Sequence, residues 1–521
     1  METENVMKEI KIPPREYQKQ IFKTCIEKDC LVILPTGTGK TLIAVMLSID
    51  RFKKFPLEKI VILAPTRPLV EQHFQTFKKL LPENWADMQI FTGKTPAEKR
   101  KEIWQTAEFI FSTPQCLQND LKNNLYSLED VSLLIVDECH RCLKNYAYNF
   151  VSQKYHEQAL HPRILGLTAS PGSDRQTIAK VCENLNVRAV EIRTRESEDV
   201  MPYLQELEFE KIEVNFPSEF EEIRQLLKEI YSEKIDELKN RKVLYTPATK
   251  TSLLELQSRL IKSIQSNKNG NLLASVSLCS QAIKLQHALE LLETQTISSL
   301  VAYLKKICKE AEEKKSKGVQ RLVSDKRFMK AYTLTTSLNI EHPKLEALSE
   351  IIKCQTAENP NSKILIFAQY RDTINKIIEK LRKIKNARPD IFVGQAVKKH
   401  ISGKTTGLSQ KEQREVIEKF SSGEINILVA TSIGEEGLDI PEVNEVIFYE
   451  PVPSAIRSIQ RRGRTARLMP GALKILITKN TRDAVYHYAS RAKEKRMHRA
   501  IDEIKRKMSE DINREKQGKL F

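Results

Sequence analysis

Leu31-Val32-Ile33-Leu34-Pro35-Thr36-Gly37-Thr38-Gly39-Lys40-Thr41 is the stretch from which this chain's fold is read. Four apolar residues that end in a turn read as a buried strand, and a helix is expected from Leu42. A strand, a glycine-rich loop and a helix N-terminus in that order make a seat for phosphate. Gly37 and Gly39 let backbone N–H groups approach an anion, and the helix end favours negative charge. Lys40 would reach β- and γ-phosphates, and Thr41 would offer its hydroxyl to Mg²⁺. The pattern G-x-x-x-x-G-K-[ST] is incomplete, because Leu34 stands where its first glycine would be. Pro35, Thr36, Gly37, Thr38, Gly39, Lys40 and Thr41 therefore read as a nucleotide loop, against the plainer alternative of a glycine-rich turn.

Similar apolar runs recur at 60–63, 109–111, 133–136 and 164–167, then at 364–367, 427–429, 446–449 and 473–477. Buried runs separated by helix-length stretches predict parallel sheets, so two α/β domains are expected around a different middle. That middle reads as helical. Ser218-Glu219-Phe220-Glu221 after Pro217 has the form of a capping box. Phe220, Ile223, Leu226, Leu227 and Ile230 follow at helical spacing. A second apolar helix is expected through Ile283, Leu285, Leu289, Leu291 and Leu292, with a polar loop at 266–270 between them. The expected domains are 1–205, a helical insert at 206–335, 336–490, and a basic tail at 491–521. The tail holds 11 Lys or Arg against 6 Asp or Glu and predicts a helix that frays.

A length of 521 residues exceeds what one core usually supports. Lys and Arg outnumber Asp and Glu by 85 to 68, a net charge of +17 that favours a polyanionic partner. A generally lysine-rich proteome would give the same balance. No apolar stretch approaches the ~20 residues of a membrane span, and residues 1–11 lack a signal-peptide core. An intracellular, cytoplasmic protein with free thiols is expected from this and from nine scattered cysteines. Cys139-His140-Arg141-Cys142 has zinc-like spacing but no second pair.

Asp137-Glu138 follows the run at 133–136. A carboxylate at a strand's carboxyl end near a phosphate loop suits Mg²⁺, which is Asp137's expected role. Glu138 could take the proton of an attacking water. Far along the chain, Gln460-Arg461-Arg462-Gly463-Arg464-Thr465-Ala466-Arg467 supplies arginines. Arg464 and Arg467, three apart, could stabilise a transferring phosphoryl group. The same cluster also suits a nucleic-acid backbone.

The set resembles superfamily 2 helicases. It comprises Arg15-Glu16-Tyr17-Gln18, the loop, Ala64-Pro65-Thr66-Arg67-Pro68-Leu69, Ser112-Thr113-Pro114-Gln115, Asp137-Glu138-Cys139-His140, Leu167-Thr168-Ala169-Ser170, residues 431–441 and residues 460–467, in the family's order. Phe392-Val393-Gly394-Gln395-Ala396, Gly434-Glu435-Glu436-Gly437-Leu438-Asp439, Tyr449-Glu450-Pro451-Val452-Pro453-Ser454 and the insert's 287–295 resemble the archaeal Hef and Fanconi-anaemia M-type branch. The resemblance implies two RecA-like domains with a helical insert that grips duplex DNA at forks. It implies that Gln18 reads adenine, with Arg15 or Tyr17 near the base. Gly437 and Asp439 would touch the nucleotide or strand, and Gln460, Arg464 and Arg467 would act across the cleft. Thr66, Arg67, Thr113 and Gln115 would hold the strand, and Thr168 and Ser170 would couple hydrolysis to closure. No nuclease signature is seen, and Asp-Glu-Cys-His also occurs in RNA-sensing relatives.

The expectation is an ATP- and Mg²⁺-dependent DNA helicase or translocase, 3′→5′ by family, acting on forked or branched DNA alongside repair proteins and away from membranes. The alternatives are a double-stranded RNA translocase of the RNA-sensor type and a nucleotide-gated clamp that scarcely unwinds.

Overall fold

The computed structural model describes residues 6, 9–172, 174–266, 270–394, 398–399, 405–431, 440–462, 465 and 470–518. Within them the first sheet holds β1 (Cys30–Ile33), β2 (Lys59–Leu63), β3 (Met88–Phe91), β4 (Phe109–Ser112), β5 (Val131–Asp137), β6 (Ile164–Thr168) and β7 (Ala189–Ile192). Their order is β3-β4-β2-β5-β6-β1-β7, every pair parallel. The five apolar runs read from the sequence form its centre. Strands β3 and β7 lie at the edges, half-exposed, and their mixed composition hid them.

The second sheet holds β8 (Leu207–Val214), β9 (Ile364–Phe367), β10 (Pro389–Phe392), β13 (Ile427–Ala430), β14 (Glu445–Phe448) and β15 (Gly471–Thr478), in the order β10-β13-β9-β14-β15-β8. A short ribbon pairs β11 (Lys398–Lys399) with β12 (Thr405–Thr406). Strand β8 corrects the reading of 206–335 as helical throughout. Leu207, Phe209, Ile212 and Val214 are interleaved with Glu208, Glu210 and Glu213, the composition of a solvated edge strand, and the segment pairs along all of β15.

From Ser218 onward the insert is a helical bundle. Its first helix, Ser218–Asn240, lies where the spacing predicts, but Pro217 is its N-cap and no side chain caps it. Ser218 Oγ instead donates to Glu219 Oε2 at 3.1 Å. The helix Gly270–Thr294 carries the second apolar set, and Phe220, Ile223, Leu227, Ile230, Leu285, Leu289 and Leu292 share one core. The expected loop at 266–270 falls largely outside the described residues.

The insert is joined to the second sheet's domain by a buried polar seam. Beside it, within the second domain, Lys344 Nζ lies 2.8 Å from Asp483 Oδ2, both fully buried. Thr373 Oγ1 donates to Gln295 Oε1 at 2.8 Å, and Gln295 Nε2 donates to Glu450 Oε2 at 3.4 Å. Burial pushes the Glu450 carboxyl up to about 7, against the pull of Arg461 and Lys344.

The expected basic tail is part of a longer helix, Arg482–Gly518, which leaves β15 and crosses to the first domain. Met497, Ala500, Ile501 and Ile504 are buried there among Ile178, Val181, Cys182, Leu185 and Val190. Among the described residues, no helix is long and apolar enough to cross a membrane.

Candidate functional site

The nucleotide loop leaves β1 between β6 and β7. Gly37 and Gly39 have φ of +84° and +79°, and Gly39 N-caps the helix Lys40–Lys54. A Cβ at Gly39 would also displace the Gln18 amide, while the positive φ itself disfavours any larger residue. Gln18 is tied to the loop: its Nε2 donates to Thr38 O at 3.1 Å, while its Oε1 accepts from Arg15 N at 2.8 Å. Tyr17 donates its hydroxyl to Thr38 O at 2.6 Å, and burial raises its pKa. Arg15 donates to Tyr17 Oη at 3.2 Å and lies 4.9 Å over the Tyr203 ring. Thr38 Oγ1 donates to Pro35 O at 2.7 Å. Lys40 Nζ donates to Leu34 O at 3.0 Å and Pro35 O at 3.3 Å, so its charge lies beneath the loop.

Two strands away, β5 delivers Asp137 and Glu138. Asp137 Oδ2 meets His73 Nε2 at 2.8 Å, and its carbonyl accepts from Tyr148 Oη at 2.7 Å. Burial pushes the Asp137 carboxyl upward, but the His73 ring, the Lys40 charge and the Glu138 N–H outweigh it and hold it below its ordinary value. Glu138 has φ of +48°, a strained turn for a residue with a Cβ. His140 Nδ1 is 3.2 Å from Glu138 Oε2 and 3.2 Å from Thr168 Oγ1, at the end of β6. Thr168 Oγ1 gives its proton to Ser170 O at 3.0 Å, which makes His140 the donor in that contact. Ser170 Oγ is buried without a hydrogen-bond partner among the described residues.

The donor set fits ATP and Mg²⁺: an ionised carboxylate, a lysine and a left-handed glycine loop lie at the carboxyl ends of the interior strands β1 and β5. An ion there would be held by the Asp137 carboxylate and the Thr41 hydroxyl, with phosphate and water completing its oxygen shell. Among the described residues, Cys139 and Cys142 belong to no cluster of three or more His, Cys, Asp or Glu that could hold a metal. Burial raises both thiols, Cys142 to about 12, and Cys142 Sγ donates to Asn149 Oδ1.

Thr66 and Thr113 N-cap the helices Arg67–Leu80 and Pro114–Lys122, each with proline in its first turn. Strands β2 and β4 are neighbours with Leu63 opposite Ser112, so the two caps emerge side by side. Thr66 Oγ1 is buried without a partner among the described residues, and Gln115 is exposed. Arg67 Nε donates to Glu71 Oε1 at 2.8 Å, and Glu71 also pairs with Arg414 of the second domain.

In the second domain, Gln460 and Arg461 are buried on the helix Ala455–Arg462. The Arg461 guanidinium lies 4.9 Å from the Phe367 ring and 5.3 Å from the Phe448 ring, packed into the core. Arg462 pairs with Glu494. Arg464, Arg467, Gly437 and Asp439 lie outside the described residues. In the insert, Lys305, Lys306, Lys309 and Lys314 line a groove of about 890 Å³ with Cys308, Met329 and Tyr332.

Sequence reasoning missed His73, whose only signal was a polar residue inside the buried stripe Val70, His73, Phe77 and Leu80.

The chain matches the DEAD/DEAH box helicase model over residues 15–178 and the helicase conserved C-terminal model over 343–469. A helical-bundle model named for an ATP-dependent RNA helicase matches 219–342. The crystal structure of the Pyrococcus furiosus Hef helicase domain is 42% identical, with a TM-score of 0.69, covering 92% of this chain and 98% of that one. This chain belongs to the Hef-like helicases of superfamily 2. The group includes Fanconi anemia group M proteins. A Methanocaldococcus jannaschii protein, provisionally named an ATP-dependent RNA helicase, is 40% identical over 94% of this chain and 60% of its own length. The ATP-dependent DNA helicase mph1 of Neurospora crassa is 33% identical over 92% and 42%. The chain thus spans less than two thirds of the length of these two relatives.

Proposed function

We propose that this Hef-like helicase is an ATP-driven DNA motor, moving 3′→5′ on forked or branched DNA in replication repair. The observation that carries this reading is the shared carboxyl end of adjoining strands. Thr66 and Thr113 emerge side by side from β2 and β4, and β5, next to β2, presents Asp137. Nucleotide and strand therefore meet on adjoining strands, where small movements of one are felt by the other.

In this reading Lys40 leaves the Leu34 and Pro35 carbonyls for the β- and γ-phosphates. Gln18 reads adenine while bracing the loop through Thr38, and Arg15 packs near the base. Asp137 and Thr41 hold Mg²⁺, which when bound neutralises phosphate charge. Glu138 accepts the proton of the attacking water, oriented beside His140. Gln460, Arg464 and Arg467 approach the γ-phosphate from the second domain, and Gly437 and Asp439 touch nucleotide or strand. Thr66, Arg67, Thr113 and Gln115 grip phosphates and sugars rather than base edges. Thr168 and Ser170 carry the signal to domain closure, and the orphan Ser170 hydroxyl supplies an open contact for it.

The name of the Methanocaldococcus relative and the helical-bundle model favour a second reading, an RNA-dependent motor. ATPase stimulation by forked DNA, single-stranded DNA and duplex RNA, followed by strand displacement on the best activator, tests both. Greatest stimulation by forked DNA, with displacement, is expected. Greatest stimulation by duplex RNA overturns the DNA assignment, and hydrolysis without displacement makes the protein a clamp.

A further inference from the structure

We infer that His73 is a positioning residue for the Mg²⁺-holding carboxylate of Asp137, an inference that rests on the nucleotide-site reading above. The helix Arg67–Leu80 buries one stripe, Val70, His73, Phe77 and Leu80. Val70, Phe77 and Leu80 pack against Ile62 and Phe111 in an apolar cluster. An imidazole in such a stripe loses hydration and is tolerated only where its polar atoms find partners. Among the described residues His73 finds one, Asp137 Oδ2 at 2.8 Å.

The direction of that bond follows from chemistry. An ionised carboxylate only accepts, so Nε2 carries the hydrogen. Asp137 sits where the Lys40 charge reaches it. The His73 bond fixes one oxygen from a rigid helix that starts at Arg67. Outer-shell donors of this kind set the orientation of metal-holding carboxylates, and their loss costs roughly 10–100-fold in metal affinity. Sequence distance concealed the pair, since 64 residues separate its members.

The test compares His73→Phe, which keeps a ring but removes the donor, with His73→Gln, whose amide places an N–H near the same position. The readout is binding of a fluorescent ATP analogue across a Mg²⁺ titration, with no turnover required, and the electron paramagnetic resonance of Mn²⁺ as a second probe. His73→Phe should raise the Mg²⁺ half-saturation at least roughly tenfold while nucleotide affinity without metal stays within about twofold. His73→Gln should recover most of the shift. Thermal unfolding of each variant establishes that it is folded, and His73→Leu replaces the phenylalanine variant if that one is not. Wild-type Mg²⁺ dependence in the donor-free variant overturns the inference, as does an equal shift in both variants. Nucleotide binding by the wild type with no Mg²⁺ dependence would instead bring down the underlying reading of Asp137, and the role of His73 with it.

Discussion

His140 Nδ1 lies 3.2 Å from Thr168 Oγ1, and the same nitrogen lies 3.2 Å from Glu138 Oε2. One ring therefore touches the proposed catalytic base and the end of the neighbouring strand β6, where the proposed coupling residues sit. Thr168→Val keeps the shape and removes the hydroxyl. Losing that hydroxyl's bonds to His140 and to the Ser170 backbone, each worth about 0.5–1.5 kcal/mol, should cut strand displacement at least roughly tenfold while ATP hydrolysis falls less than about threefold. Parallel assays on one nucleic-acid activator read this. Equal loss of both activities would make Thr168 part of the chemistry rather than of its transmission.

Lys40 and Glu138 separate binding from turnover. Lys40→Ala removes the charge beneath the loop, so both ATP affinity and hydrolysis should fall. Glu138→Gln should leave ATP affinity near wild type and reduce turnover by roughly 10²–10⁴-fold, because an amide cannot take the water's proton. Equilibrium binding of labelled ATP, paired with single-turnover hydrolysis, distinguishes the two. Wild-type hydrolysis by Glu138→Gln in the presence of DNA would remove Glu138 as base.

Much of this architecture is legible in the sequence because central parallel strands are buried on both faces. Residues 31–34, 60–63, 133–136 and 164–167 are unbroken apolar runs bounded by turn residues, as a strand covered by helices on both sides requires. The edges β3, β7 and β8 carry polar residues on a solvated side and lose that signal. The placement of Lys40, Asp137 and Gln18 is legible because each lies in a short motif of its own, at a helix start or a strand end. His73 and the Lys344–Asp483 pair are not, since each is defined by a partner far along the chain. The stripe Met497, Ala500, Ile501 and Ile504 shows helical spacing, but nothing local says that it docks on the first domain.

That docking makes a stability prediction. Ile501 is fully buried between the C-terminal helix and the first domain. Ile501→Ala should lower stability by about 2–5 kcal/mol through reduced burial and the cavity left behind. Urea unfolding followed by circular dichroism measures it. A change below about 0.5 kcal/mol would mean that the helix is not held there in solution.

Glu450 predicts a pH dependence with a definite sign. Its carboxyl is raised from 4.5 to about 7 by burial in the seam between the insert and the second domain. Between those values the folded state keeps a proton that the unfolded chain has lost. Stability is therefore fully present below about pH 4.5 and falls as pH rises toward 7, by on the order of 3 kcal/mol from this group. Glu450→Gln should flatten that part of the stability curve and raise stability at pH 8. Melting temperatures of both proteins between pH 5 and 8 provide the comparison, and parallel curves would refute the assignment to Glu450.

The insert's groove gives the last prediction. Lys314-Lys315-Ser316-Lys317 and Lys326-Arg327 are its basic stretches, but Arg327 is engaged by Glu233 at 2.5 Å and by Asp325 at 2.8 Å, and Lys315 by Glu313 at 2.5 Å. The lysines best placed for phosphates are Lys305, Lys306, Lys309 and Lys314, which line the groove together. Lys306 and Lys309 have carboxylate neighbours only at 4.0 Å, contacts that exposed side chains readily give up. Replacing Lys305, Lys306 and Lys309 by glutamine should weaken binding to forked DNA. It should also reduce the slope of log affinity against log salt by up to about 0.9 for each phosphate no longer neutralised. ATPase stimulation by plain single strands should change much less, because the contacts proposed for those, through Thr66, Arg67, Thr113 and Gln115, lie on the first domain. Fluorescence anisotropy with a labelled fork across a salt series reads the effect. An unchanged slope in the folded triple variant would take the groove out of the DNA path and leave its lysines as a solvated surface.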